Sequence, residues 1–209
     1  VGYKQSGEKF SLGVNLYQMK YINQLVLTGQ INDVGANRRA NIDESYRKGI
    51  ELEAAYKFSD KMTWAGNMTL SENKIISHTE YVDNWDTWGQ EKIDYENTDL
   101  AFSPTAIWAS IFNYKVDKNI SIDFISKYIG KQFIDNTSSD DRKLDDYLVN
   151  NLRLAYEWDS KIFKTGKLTL QVNNLLDNEY VSNAWVYRFV SDGYDPREYD
   201  HYVNADSER

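Results

Sequence analysis

The chain of 209 residues contains no cysteine and only two prolines. Without cysteine, disulfides, thiolate metal sites and cysteine nucleophiles are all excluded. Such a chain is compatible with an oxidising compartment without requiring one. Basic residues are also in deficit. Lysine and arginine total 24 against 32 acids, a formal net charge of -8. A nucleic-acid partner would need a basic stripe to displace counterions, so that class is set aside. No apolar run approaches the roughly 18 residues that a spanning helix needs. A membrane β-barrel escapes that test, because its strands hide apolar residues in alternation. No methionine and no charged-then-apolar leader stand at the start, which is Val1.

What the chain has in excess is aromatic. Aromatics make up 14%, with 16 tyrosines and 6 tryptophans. Aromatic side chains fit a pleated surface, so the bias favours strands and argues against disorder. The apolar pattern agrees, because it repeats every second residue. "FSLGVNL" places Phe10, Leu12, Val14 and Leu16 on one face. "YRKGIELEAAYKF" does so with Ile50, Leu52, Ala54, Tyr56 and Phe58, and "MTWAGNMTL" with Met62, Trp64, Met68 and Leu70. "ISIDFISKY", "LRLAYEW" and "LTLQV" continue the rhythm. Apolar residues at helical spacing would lie three and four apart, so these read as half-exposed strands. Thr105–Lys115 is apolar on both faces and reads as a further strand.

The connections alternate in length. Short polar turns fall near Gln5–Lys9, Ser59–Lys61, Asp117–Asn119 and, longer, Asp159–Lys167. Long polar segments, expected as loops, fall at Thr28–Ser45, Ser77–Thr98, Ile134–Asp145 and after Phe189. Tight turns at one end and long loops at the other are the asymmetry of an outer-membrane barrel. Tyr56, Phe58, Trp64, Tyr114, Tyr156 and Trp158 gather near the short turns, as an aromatic girdle would. A soluble β-sandwich, its aromatics capping a hydrophobic layer, is the alternative. No Gly-, Ser- or Pro-rich linker divides the chain, so residues 1–209 read as one unit.

Several segments together resemble the C-terminal part of the barrel of TonB-dependent outer-membrane receptors. "VNNLLDNEYVSNAWVYRF" looks like a late-barrel strand running through Asn-Leu into an acidic turn and a tyrosine. "NLYQMKYINQLVLTGQIND", "ANIDESYRKGIELEAAYKFSDKMTWAGNMTLSENKI", "DLAFSPTAIWASIFNYKV" and "IDFISKYIGKQFIDN" look like the preceding hairpins. The likeness covers nearly the whole chain. It implies an all-β fold, an antiparallel up-and-down meander of about eight strands within a large transmembrane β-barrel of 22. It further implies a plug domain, a bacterial outer-membrane location and import of a scarce nutrient such as a ferric siderophore, cobalamin or a glycan. The expected partners are outer-membrane lipid, the TonB complex acting through the plug, and a small-molecule or metal-chelate substrate. No cofactor is expected. Plug and TonB box are not in this stretch, and "SDGYDPREYDHYVNADSER" resembles the last long outer loop. The chain is therefore expected to be a fragment of a longer receptor.

Candidate sites follow from the faces and the loops. Glu51, Glu53, Lys57, Asp123, Lys127, Arg153 and Glu157 are expected to line a wet lumen. Tyr81, Trp85, Trp88 and Tyr95, on one outer loop among acids, are the candidate ligand contacts; an exposed ring can stack on a sugar or an aromatic ligand. Equally, these rings can pack on neighbouring loops. Asp135, Asp140, Asp141, Asp145 and Asp146 lack the spacing of a calcium loop and read as a solvated acidic loop. His78 and His201 lack metal-ligand spacing. No phosphate-cradling glycine loop, nucleophile elbow or Ser/His/Asp set is visible, so an enzyme is not expected. A glycosidase carboxylate pair among the acids stays open. The competing functional class is a soluble carbohydrate-binding module using Trp85 and Trp88.

Overall fold

The computed structural model describes residues 1–31, 37–160, 162, 164–192 and 202–204. In chain order the strands are β1 (Gly2–Ser6), β2 (Phe10–Ile31), β3 (Asn37–Lys57), β4 (Met62–Asn84), β5 (Gly89–Asp99), β6 (Ala106–Lys115) and β7 (Ile120–Ile129). They continue with β8 (Gln132–Phe133), β9 (Lys143–Leu144), β10 (Tyr147–Ser160), β11 (Lys164–Val172), β12 (Ala184–Val186), β13 (Phe189–Val190) and β14 (Tyr202–Asn204). Eight of them form one meander in the order β1-β2-β3-β4-β6-β7-β10-β11. Strands β5 and β13 attach to β4, and two small sheets pair β8 with β9 and β12 with β14. Every neighbour pair along the meander is antiparallel. The expected all-β meander of about eight strands is what the chain forms.

The register explains the period-two pattern. One cross-strand row runs Tyr56–Trp64–Phe112–Phe124–Leu152–Val172. Four residues along, Leu52, Met68, Trp108, Tyr128 and Leu148 form another row on the same face. The opposite face carries Lys57–Thr63–Asn113–Asp123–Arg153–Gln171. Directly paired residues share a face, so alternation along each strand becomes one greasy wall and one wet wall. The greasy wall stays bare: Leu168 and Leu170 are each 64% exposed and Val172 is 44% exposed. Among the described residues no second sheet covers it. The sandwich alternative needs such a cover.

The charges of the expected lumen set lie on the wet wall, and several of them are paired there. Arg153 reaches Asp123 at 2.6 Å and Lys167 reaches Glu157 at 2.8 Å. Asn15 donates to Glu51 at 2.8 Å. At the short-turn end Tyr56 meets Phe58 edge to face at 4.8 Å, and Tyr156 stacks on Trp158 at 5.5 Å. These rings mark one rim of the apolar band.

Two long segments expected as loops are largely strand. β2, β3 and β4 run 22, 21 and 23 residues, whereas β6 and β7 run 10 each. A tilted strand crosses a bilayer in about 9–11 residues. The surplus of roughly ten residues, at about 3.3 Å each, adds about 33 Å of strand beyond the band. The described residues of the polar stretches at 28–45 and 77–98 are therefore mostly strand extensions beyond that band. Their buried residues are covered by distant segments and change phase along the strand, which breaks the alternation that marks a half-buried strand. The turn expected at Asp159–Lys167 is also shorter, because the ladder continues to Ser160↔Lys164.

Both projecting hairpins change phase at the same height. Asn73 and Ile75 are buried below that level, and Glu80 and Val82 above it, so the buried side passes from odd to even residues. Asn97 across from that break has φ 54°, and Asn23 on β2 has φ 59°. Asparagine tolerates this left-handed region, which interrupts the pleat without a change of register. A small core of Val26, Ile42, Ile75 and Leu100 sits at the bend. A second core, of Ile134, Leu144, Ala184 and Val186 with Phe102 and Val181 against it, binds the outer segments together. Each valine, leucine, isoleucine or phenylalanine among them contributes about 1.5–3 kcal/mol when fully buried.

Candidate ligand-capture surface

The four candidate aromatics share the β4–β5 hairpin but not one cluster. At its tip, Asn84 Oδ1 accepts hydrogen bonds from the backbone N–H of Asp86 and Thr87, each at 3.0 Å. This side-chain turn closes the hairpin. Trp88 ends it with φ 54° and is 91% exposed. Trp85 stacks on Phe189 at 4.3 Å and 13°, with Tyr187 tilted against it at 6.4 Å. Tyr81 lies lower on β4, with the Lys92 ammonium 5.6 Å from its ring centroid. Tyr95 stacks on His78 at 5.3 Å and donates its hydroxyl to Glu80 at 3.1 Å. Burial, then Glu80, raises the Tyr95 pKa; burial lowers that of His78, with Asp135 opposing.

Glu80 belongs to a buried ionic network that sequence reasoning missed. Arg188 donates to Glu80 Oε2 at 2.5 Å, and Arg142 stands 3.7 Å from Glu80 Oε1. Arg142 also donates to Asp135 Oδ2 at 2.5 Å. All four side chains are at most 10% exposed. Burial opposes the Arg188 charge, yet Glu80 and Tyr95 raise its pKa overall. The expectation of a wholly solvated acidic loop needs correction here. Asp140, Asp141, Asp145 and Asp146 are exposed, but Asp135 is buried. Two acids against two arginines make burial tolerable, since a lone buried charge costs several kcal/mol. Nothing local in the sequence joins Glu80 to Arg188, which lies 108 residues on.

The network and its surroundings tie three outer segments together. Strand β13 pairs parallel with the end of β4, Phe189↔Asp83 and Val190↔Asn84. Tyr187 donates to Asp83 at 3.0 Å, and the Asp192 N–H to Asp86 at 2.7 Å. Asn136 and Ser138 accept from the N–H groups of Ala101 and Asp99 at 2.8 and 2.6 Å. The result is a fixed platform with Trp88 projecting and one face of Trp85 taken by the chain itself. No group of three or more potential metal-ligating side chains is assembled among the described residues. His201 lies outside them.

Comparison with known proteins agrees with this geometry. Residues 1–175 match the family described as TonB dependent receptor-like, beta-barrel. The siderophore receptor PiuA from Acinetobacter baumannii superposes with TM-score 0.63 at 19% identity, over 88% of this chain and 24% of that one. The ferric yersiniabactin uptake receptor FyuA from Yersinia pestis gives 0.61 at 14% identity, over 88% and 25%. The ferric-catecholate import receptor Fiu from E. coli K12 gives 0.56 at 18%, over 94% and 24%. At these identities the likeness is one of fold, and the chain spans about a quarter of each structure's length. No curated protein matches the chain. The bare apolar wall, the wet wall behind it and the match over residues 1–175 lead to one assignment: the chain belongs to the TonB-dependent receptor β-barrel family.

Proposed function

We propose that residues 1–209 form one wall unit of an outer-membrane receptor that takes up a scarce nutrient, such as a ferric siderophore, with energy supplied by the TonB complex. The family is one of receptors and transporters, not of enzymes. The observation that carries the reading is the two-sided wall, apolar outward and charged inward, topped by a tied platform. The greasy side meets outer-membrane lipid; the wet side faces the plug and the passing cargo. Trp88 and the free face of Trp85 make first contact with the ligand, and Tyr81 and Tyr95 stand lower on the same hairpin. Siderophore cargo is supported by the likeness to PiuA, FyuA and Fiu, which are receptors for siderophores or ferric chelates.

The test is accumulation of labelled ferric siderophores by iron-starved cells carrying the intact receptor. Uptake is expected to vanish when the receptor gene is deleted and when the proton gradient is collapsed. Uptake indifferent to both treatments refutes the reading. In the intact receptor, replacing Trp85 and Trp88 together by Ala removes two stacking surfaces of about 0.5–1.5 kcal/mol each. Half-saturation is expected to rise roughly 5- to 150-fold while maximal uptake holds.

A further inference from the structure

The ladder between β3 and β4 stops at Ser45↔Ile75, although both strands continue upward. Above that point β3 keeps its partner β2, through Ile22↔Glu44 to Leu27↔Arg39. Strand β4 keeps β5, through Ser77↔Glu96 to Asn84↔Gly89. Ile75 pairs with Ser45 on one side and Thr98 on the other, so β5 lies on the side of β4 away from β3. The two hairpins therefore diverge with two strand edges facing each other, and a cleft of about 440 Å³ lies between them.

Backbone groups on one of these edges point into the cleft. The Trp85 N–H donates to Val190 O at 2.8 Å, on the side of β4 opposite β5. Alternation along the strand turns the N–H and C=O groups of Ser77, Thr79 and Tyr81 the same way. Strand β13 already uses the upper end of this edge, adding itself in parallel at Asp83 and Asn84. Below β13, among the described residues, no strand pairs with it. An unpaired edge is a template for another chain.

The charge of the lining selects the occupant. Asp43, Asp94 and Glu96 line the cleft and are exposed, and among the described residues no lysine or arginine lines it. Its one histidine, His78, is held toward the neutral form by burial. We infer that the cleft between β3 and β4 takes up a cationic peptide segment in extended conformation, which pairs with the β4 edge as an added strand and sets its lysines or arginines against Asp43, Asp94 and Glu96. Main-chain bonds provide affinity and side chains selectivity, as in other strand additions. This binding is independent of cargo import.

The test uses the intact receptor in detergent and a fluorescent peptide of alternating lysine and valine, six residues long. Three comparisons accompany it: the same peptide N-methylated at alternate residues, the peptide with glutamate for lysine, and the receptor carrying D43N, D94N and E96Q. The unmodified peptide is expected to slow amide exchange at Ser77, Thr79 and Tyr81. N-methylation and the triple variant are each expected to weaken binding at least tenfold, and the glutamate peptide should not bind. Equal binding of the N-methylated peptide would mean charge attraction without strand pairing and overturns the inference. So does undiminished binding to the triple variant. Amides of Ser77, Thr79 and Tyr81 already protected without peptide would show the edge occupied by the receptor itself, and would overturn it too.

Discussion

Arginine at Met68 and, separately, at Asn67 tests the two-sided wall with neighbouring residues. Met68 sits between Leu52 and Trp108 on the greasy face; Asn67 sits between Glu53 and Ala109 on the wet one. The level of Met68 lies between the turn-proximal rings and the start of the projecting hairpins. An arginine facing lipid near the midplane costs about 2–4 kcal/mol. With 1.36 kcal/mol per tenfold, that is a loss of roughly 30- to 900-fold in the folding equilibrium. Asn67→Arg places the same charge in water beside Glu53, where an exposed pair shifts stability by at most about 1 kcal/mol. Both variants would be made in the intact receptor and folded from urea into lipid vesicles, with heat-resistant migration on gels reporting the folded barrel. Met68→Arg should need markedly less urea to unfold, and Asn67→Arg should match the parent. Leu152→Arg should repeat the Met68 result on β10. Equal behaviour of Met68→Arg and Asn67→Arg would refute the assignment of the faces.

Other consequences can be checked separately. Glu80→Gln leaves Arg188 and Arg142 with Asp135 as the only nearby carboxylate of the network, and breaking a buried pair costs about 3–5 kcal/mol; amide exchange around Tyr187 and Arg188 should accelerate while the barrel strands stay protected. His78 takes a proton near 6.5 when unfolded and only at lower pH when folded, because burial disfavours its charge. Stability from neutral His78 is therefore complete above 6.5 and declines as pH falls below it. Hairpin protection in the parent, but not in His78→Asn, should weaken over that window. A Cβ at Gly49 would collide with the Leu70 carbonyl and lie 2.8 Å from the Tyr17 hydroxyl. Gly49→Ala should cost about 1–3 kcal/mol in the same urea assay, and a neutral outcome would mean the ring and backbone shift freely.

The strands of the band were legible because each lies between two solvents. Leu152 and Arg153 are sequence neighbours that must face opposite media, and a two-residue period states that directly. The hairpin arms at 28–45 and 77–98 were not legible as strands. What they bury, such as Glu80 and Val82, is covered by distant segments and out of phase with Asn73 and Ile75 below, so no single alternation runs through them. The outer aromatics could be recognised as exposed, yet their arrangement could not. Trp85 gains its partner Phe189 only when a segment 104 residues later folds back, an offset also spanned by Tyr187 and Asp83.

Composition and periodicity by themselves determined that this chain would be an antiparallel wall with one greasy and one wet side. That follows because strand geometry converts local order into face without reference to distant residues. Tertiary structure alone decided that Asp135 would be buried against Arg142, that Glu80 would meet Arg188, and that β3 and β4 would part above Ser45 and Ile75. Charge pairing in a buried site depends on which segments meet, and no local pattern encodes a meeting across a hundred residues.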